Sequence, residues 1–263
     1  MRRSCAWLRL VTRWLAWSTF TVLASCGGHS SSPTTDPTTP IMDEKSLFLI
    51  GALDVNATEC VAKPESSAIV LAQGVWDLAL TSNYTATLLV GNQLARPGAV
   101  NETERISLRS AEITLSTAEA AVLEKYSTVA TGFIDAEALP AAYGVMSVNL
   151  IPVGLDERVQ RAELLIAKIR VTGEALNGTL LTSSELDFPI RVCTGCLVQY
   201  PSSAADPTAP SHSTYLCANA TEDTVLTTPA PCLPGQDLPF SCALCAESVA
   251  MCRDPQLNPS LSK

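Results

Sequence analysis

Two Cys-x-x-Cys pairs have the residue types and spacing most suited to chemistry: Cys193-Thr194-Gly195-Cys196 and Cys242-Ala243-Leu244-Cys245. Together they match the ligand number and two-knuckle spacing of a four-cysteine zinc site, in which four thiolates hold the ion tetrahedrally. Singly, such a pair is a candidate dithiol redox site. That role calls for the first cysteine at the start of a helix following a strand, where the helix end favours the thiolate. Cys193 does follow a candidate strand, but Pro201 and a Ser/Pro/Ala run leave little length for a supporting helix. Structural disulfides are the third option, and the choice turns on the compartment in which the chain works.

Other catalytic chemistry is thinly represented. The two histidines, His29 and His212, both lie in Ser/Thr/Pro-rich stretches, so neither a Ser-His-acid triad nor a His-rich metal site is expected. Glu102 with Glu104, and Glu185 with Asp187, are acids near candidate strand ends. They would suit a glycan hydrolase if a pair stood roughly 5–9 Å apart across a cleft. The formal charge is −9, and Arg2, Arg3, Arg9 and Arg13 all precede residue 14, so the rest of the chain is more acidic still. Nucleic-acid binding needs the opposite sign and is excluded as an expectation.

The amino-terminal residues settle the compartment on paper. A basic start, MRRSCAWLR, precedes a mostly apolar run from Trp14 to Leu23, which is followed by Ala24-Ser25-Cys26 and a polar stretch. The run is well short of the ~20 apolar residues that span a bilayer and reads as a signal peptide over residues 1–25. Leu23-Ala24-Ser25-Cys26 resembles the lipobox of bacterial lipoproteins. That resemblance implies that the Cys26 thiol is acylated, that the chain is cut just before it, and that the new amino terminus receives a further acyl chain. Two or three chains hold a protein firmly, where one gives marginal binding at ~0.8 kcal/mol per buried CH2. Gly27, in place of an aspartate, implies an outer-membrane address in the bacterial envelope. Residues 26–45, mostly Gly, Ser, Thr and Pro, read as a lipidated flexible tether. Under this reading the Asn-x-Ser/Thr sequons at Asn56, Asn83, Asn101, Asn177 and Asn219 are compositional accidents.

An exported chain meets an oxidising compartment, which favours disulfides. With Cys5 lost with the signal and Cys26 carrying lipid, the candidates are Cys60, Cys193, Cys196, Cys217, Cys232, Cys242, Cys245 and Cys252. Eight cysteines allow 105 pairings, which sequence alone does not rank. All but Cys60 fall in 194–263 or at its boundary, a segment poor in large apolar residues that crosslinks would have to hold together. Cys60 must then reach this extension, which predicts that it packs back near the loop after the first strand. Residues 201–213 read as a flexible stretch within it.

The elements positioning these residues read as strands. Over residues 46–193 the expectation is a mainly β fold, a β-sandwich of Ig-like or related type, followed by the disulfide-rich C-terminal extension. Leu47, Leu49, Leu53 and Val55 share one parity. Trp76, Leu78, Leu80, Tyr84, Ala86, Leu88 and Val90 share another, as one long strand or two with a bend at 81–83, with Trp76 and Tyr84 in the core. Ile106 and Leu108 are out of step with Ala111, Ile113 and Leu115, so a β-bulge near Ser110 is expected. Further strands are expected over 128–134, 145–151, 167–172, 178–182 and 186–193. Pro189 in the last predicts an edge or a bulge, since proline donates no ladder hydrogen bond. Ser116-x-x-Glu119 has the form of a capping box opening a helix over 117–126, and a second helix is expected over 156–164.

The function expected from the sequence is a membrane-anchored, extracytoplasmic, non-catalytic binding or structural module with no cofactor. Its partners would be the lipid bilayer, through acylated Cys26, and another envelope protein. The alternatives are the carboxylate-dependent glycan hydrolase and a lipid or small-ligand carrier, which needs an apolar cavity between the sheets.

Overall fold

A computed structural model describes residues 46–55, 60–94, 103–136, 141–155, 157–200, 217 and 230–261. The signal segment, Cys26, the tether, His29, His212, Glu102, the stretch 201–213 and the sequons at Asn56, Asn101 and Asn219 lie outside the described residues.

The fold is mainly β. Strand β1 (Leu47–Leu53) lies between β2 (Val70–Leu71) and β4 (Tyr84–Asn92), and β7 (Ala142–Ile151) completes an antiparallel four-stranded sheet in the order β2-β1-β4-β7. The larger sheet runs β3 (Gly74–Asp77), β10 (Leu186–Cys193), β8 (Leu164–Ala175), β5 (Ile106–Thr117), β6 (Val122–Ile134). It is mixed, because β3 pairs parallel with β10, and β9 (Leu180–Thr182) shares an edge of β8 with β10. Buried side chains of both sheets, among them Leu47, Leu88 and Met146 from one and Ile113, Val171 and Ile190 from the other, join in one apolar cluster. Tyr84 of β4 faces Phe188 of β10 with ring centroids 6.3 Å apart, and the Tyr126 hydroxyl of β6 donates to the Leu150 carbonyl of β7.

Alternation explains most of these strands. In β5 the register shifts between Leu108 and Ser110, and Ile106, Leu108, Ala111, Ile113 and Leu115 are all buried. The extra residue rephases the side chains so that two sets of opposite parity share the core face. The run from Trp76 to Val90 is two strands in different sheets. The chain crosses between them through 78–83, where the Trp76 indole donates to the Thr81 carbonyl. Trp76 and Tyr84 are both core residues, while Leu78 and Leu80 in the crossing are half-buried.

Three expectations are corrected. Residues 117–126 are a hairpin, not a helix: Thr117 and Ala121 close the turn through backbone hydrogen bonds, and β6 starts at Val122. The capping-box serine is buried in β5 and donates to the Ile166 carbonyl of β8. Local capping chemistry yields here to a ladder of twelve- and thirteen-residue strands that buries Ile113, Leu115 and Ala130. The helix expected over 156–164 is one turn and a half, Glu157–Arg161, which buries Val159 before β8 starts at Leu164. Pro189 lies in an interior strand rather than at a sheet edge. The tolerance is local, since the β3 ladder begins at Ile190, one residue past the proline.

The carboxy-terminal segment has its own small apolar cluster of Val198, Tyr200, Phe240 and four half-cystines. Strands β11 (Val198–Gln199) and β12 (Phe240–Ser241) pair parallel in it, followed by short helices at Cys242–Cys245 and Ala250–Arg253.

Candidate functional site

The eight candidate cysteines are joined as Cys60–Cys232, Cys193–Cys196, Cys217–Cys242 and Cys245–Cys252. The first bridge ties the segment after β1 to the carboxy-terminal segment, with Cα atoms 5.4 Å apart. The sulfurs of Cys193, Cys196, Cys242 and Cys245 are spread over three separate disulfides rather than turned to one centre, so the two knuckles do not form the four-thiolate arrangement. Cys242 and Cys245 are bonded outward to Cys217 and Cys252, within the small cluster. Cys193 and Cys196 are bonded to each other at the end of β10.

Around that last pair the structure brings together groups that the sequence did not connect. Asp77, the last residue of β3, is fully buried, although its parity is opposite to that of the core residues. One carboxylate oxygen accepts from the Gly195 amide at 2.7 Å and from the Ala79 amide at 3.0 Å; the other accepts from the Leu197 amide at 2.9 Å. The carboxylate and the two sulfurs lie within 4.8 Å of one another. Asn258, also buried, donates to the Gly195 carbonyl at 2.9 Å, and the Leu78 amide donates to the Cys193 carbonyl at 2.8 Å. Gly195 has φ +75°, and a Cβ there would stand 2.4 Å from Asn258 Oδ1, so both the turn and the close approach demand glycine. On the outer side, the exposed Arg191 guanidinium stands 3.6 Å from Cys196 Sγ. The pair opens on a concavity of about 700 Å3, whose lining includes Gln73, Glu163, Arg191 and Ser260.

A second set of polar contacts seals the carboxy-terminal segment against β3 and β4. The Asp77 amide donates to the Gly235 carbonyl and the Asp237 amide to the Val75 carbonyl. One Asp237 oxygen accepts from the Val75 amide and the Tyr84 hydroxyl, both at 2.8 Å. Burial pushes the Asp237 carboxyl above its ordinary value, against the opposing pull of these two donors. Burial, then the Asp237 charge and hydrogen bond, raise the Tyr84 hydroxyl far out of the titrating range. Gln236 is buried, accepting from the Thr85 amide and donating to the Asn83 carbonyl. The cavity beside this seam, lined by Ala52, Asp54, Thr87, Cys232 and Asp237 among others, measures about 30 Å3. That is room for about one or two waters.

Of the two carboxylate pairs, Glu185 with Asp187 is described in full, while Glu102 of the other lies outside the described residues. Glu185 and Asp187 both reach the Lys168 ammonium, at 3.1 and 3.0 Å, on an exposed face. Their hydrogen bonds raise the lysine pKa, Asp187 contributing the larger share. Glu104 faces the side chains of Thr103 and Asn177. Arg191, Gln236 and Asp237 are not singled out by sequence reasoning, whereas Asp77 is read from its parity as an outward residue whose replacement by alanine should cost little. The structure corrects this, since Asp77 is fully buried and its carboxylate holds three backbone amides. Period-two reading assigns Asp77 to the open face and contains no signal that a distant segment covers it.

No protein-family model matches this chain, and no curated protein matches it.

Proposed function

We propose that the chain is a membrane-anchored extracytoplasmic lipoprotein, held to the bacterial outer membrane through acylated Cys26. In this reading its β body and crosslinked extension serve as a non-catalytic binding or structural module for another envelope protein. The two sheets are read as the layers of a β-sandwich, Ig-like or related. The observation that carries the proposal is the complete pairing of the eight cysteines from Cys60 to Cys252 in four bridges. Disulfides of this density belong to exported proteins, and of the ten cysteines the two outside these bridges are Cys5, in the proposed signal segment, and Cys26, in its lipobox-like sequence. Support also comes from the seam at Asp77, Gln236 and Asp237, whose side-chain oxygens accept from backbone amides and so serve to hold the extension against the body.

The test is mass spectrometry of the mature amino-terminal peptide. An acylated peptide beginning at Cys26 is expected; an unmodified peptide beginning elsewhere overturns the anchor. Cys26→Ser should move the protein from the membrane to the soluble fraction.

A further inference from the structure

We propose that Cys193–Cys196 is a thiol–disulfide exchange site, opened and re-formed by a dithiol partner while the other three bridges stay intact. The proposal is independent of the lipid anchor.

The first argument is that the fold does not need this bridge. It joins residues three apart in sequence, against 172, 25 and 7 for the others. Loop-closure entropy, and with it the stabilisation by a crosslink, is smallest for so short a loop. The turn is already fixed by other bonds: Asp77 holds the Gly195 and Leu197 amides, Asn258 holds the Gly195 carbonyl, and Leu78 holds the Cys193 carbonyl. Reduction therefore leaves two thiols facing each other in a preformed turn, ready to close again. A pair held this way loses little entropy on re-oxidation.

The second argument is access. Cys217, Cys242, Cys245 and Cys252 are buried, at 0–3% exposure, whereas Cys193 and Cys196 are half-buried and line the open concavity of about 700 Å3. Cys60, exposed, and Cys232, half-buried, form the other reachable bridge, and it closes a loop of 172 residues rather than three. An attacking thiolate must approach along the S–S axis, and only an open face permits it.

The third argument is charge. Arg191 stands 3.6 Å from Cys196 Sγ, and a nearby cation stabilises a thiolate. Two acids oppose it, Asp77 from beneath and Glu163 in the concavity. The Asp77 oxygens are occupied by amide donors, which spreads their charge away from the sulfurs. Cys196 is thus the better leaving group. A partner thiolate attacks Cys193 Sγ, the Cys193–Cys196 bond breaks, and Cys196 leaves as a thiolate that takes up a proton. The partner's second thiol gives up its proton and attacks its own sulfur in the mixed disulfide, releasing Cys193. The protein disulfide gains two electrons and two protons, and the partner dithiol becomes a disulfide.

The test uses the full chain under native conditions, with dithiothreitol as the dithiol. Timed samples are acid-quenched, alkylated and mapped by proteolysis without further reductant. Cys193 and Cys196 should be alkylated at least about tenfold faster than Cys60 and Cys232, the other partly exposed pair, while the protein keeps a cooperative melt. Equal or slower opening of Cys193–Cys196, or opening only with loss of that melt, overturns the proposal. Arg191→Gln should slow the reaction about threefold or more, and Arg191→Lys should restore most of the rate. An unchanged rate in Arg191→Gln overturns the assignment of Cys196 as the leaving sulfur.

Discussion

Asp77 and Gly195 are 118 residues apart in sequence and are joined by a 2.7 Å hydrogen bond in which the Gly195 amide donates to Asp77 Oδ1. Because the same carboxylate also takes the Leu197 and Ala79 amides, one buried side chain fixes both the end of β3 and the turn that leaves β10. Asp77→Ala strands these amides in a dry site, and each unmet buried donor costs on the order of 1–3 kcal/mol. A loss of about 2–4 kcal/mol is expected in urea melts, with Asp77→Asn intermediate because it keeps one acceptor oxygen. A loss under about 0.5 kcal/mol would remove Asp77 from this role.

Leu88→Asp and Leu78→Asp separate the core from its margin. Leu88 is fully buried between β1 and β7, so an aspartate there places an unpaired charge in the apolar cluster and should abolish folding. Leu78 shares its parity but lies past the end of β3 and is half-buried. A new carboxylate there can turn toward water, and a cooperative but weakened melt is expected. Equal loss in both variants would contradict the half-burial of the crossing segment.

Alternation makes much of this legible. The phase break between Leu108 and Ala111 is enough to place a bulge, because a strand buries two opposite parities on one face only by inserting a residue. Cys60, alone outside the cysteine-rich region, could be satisfied only from that region, and it is bonded to Cys232. What alternation cannot reveal is what covers a strand's outer face. Asp77 and Gln236 are buried and Asp237 half-buried because residues 195–197 and 235–237 close on β3, contacts spanning 118 to 162 positions. The hairpin at 118–121 reads as a helix for the opposite reason. A capping box is a four-residue signal, and ladder partners drawn from β8, about 50 residues on, outweigh it.

Asp237 gives a pH signature. Its carboxyl titrates above the ordinary value in the folded protein because burial penalises the charge. The folded state therefore holds its proton more tightly than the unfolded chain. The associated stability is fully present below the unfolded pKa and is lost as pH rises through the folded one. Asp237→Asn keeps an oxygen to accept from Val75 and Tyr84 without the buried charge. Relative to the native chain, the variant should gain stability as pH climbs past the ordinary carboxylate range. Melts from about pH 3.5 to 7 compare the two, and a constant difference across that range would count against a buried, raised carboxyl.

The Cys60–Cys232 bridge should matter most for holding the extension in place. It closes the longest loop, 172 residues, and loop entropy grows with length, so its loss is expected to cost about 3–5 kcal/mol. The loss should be local first. Residues 231–238 meet the body through Gly235, Gln236 and Asp237, a narrow strip of hydrogen bonds, whereas the two sheets rest on a continuous apolar cluster. Cys60→Ala with Cys232→Ala should therefore expose the chain around Cys232 to proteases while amides of β5 and β8 stay protected from exchange. The Cys193→Ala, Cys196→Ala pair should leave both regions closed, because Asp77 and Asn258 still hold the Gly195 turn. Hydrogen exchange on the two double variants decides the matter. Should the Cys193/Cys196 variant loosen 231–238 as much as the Cys60/Cys232 variant does, the short bridge would be structural after all, and the division between one exchangeable and three fixed disulfides would fail.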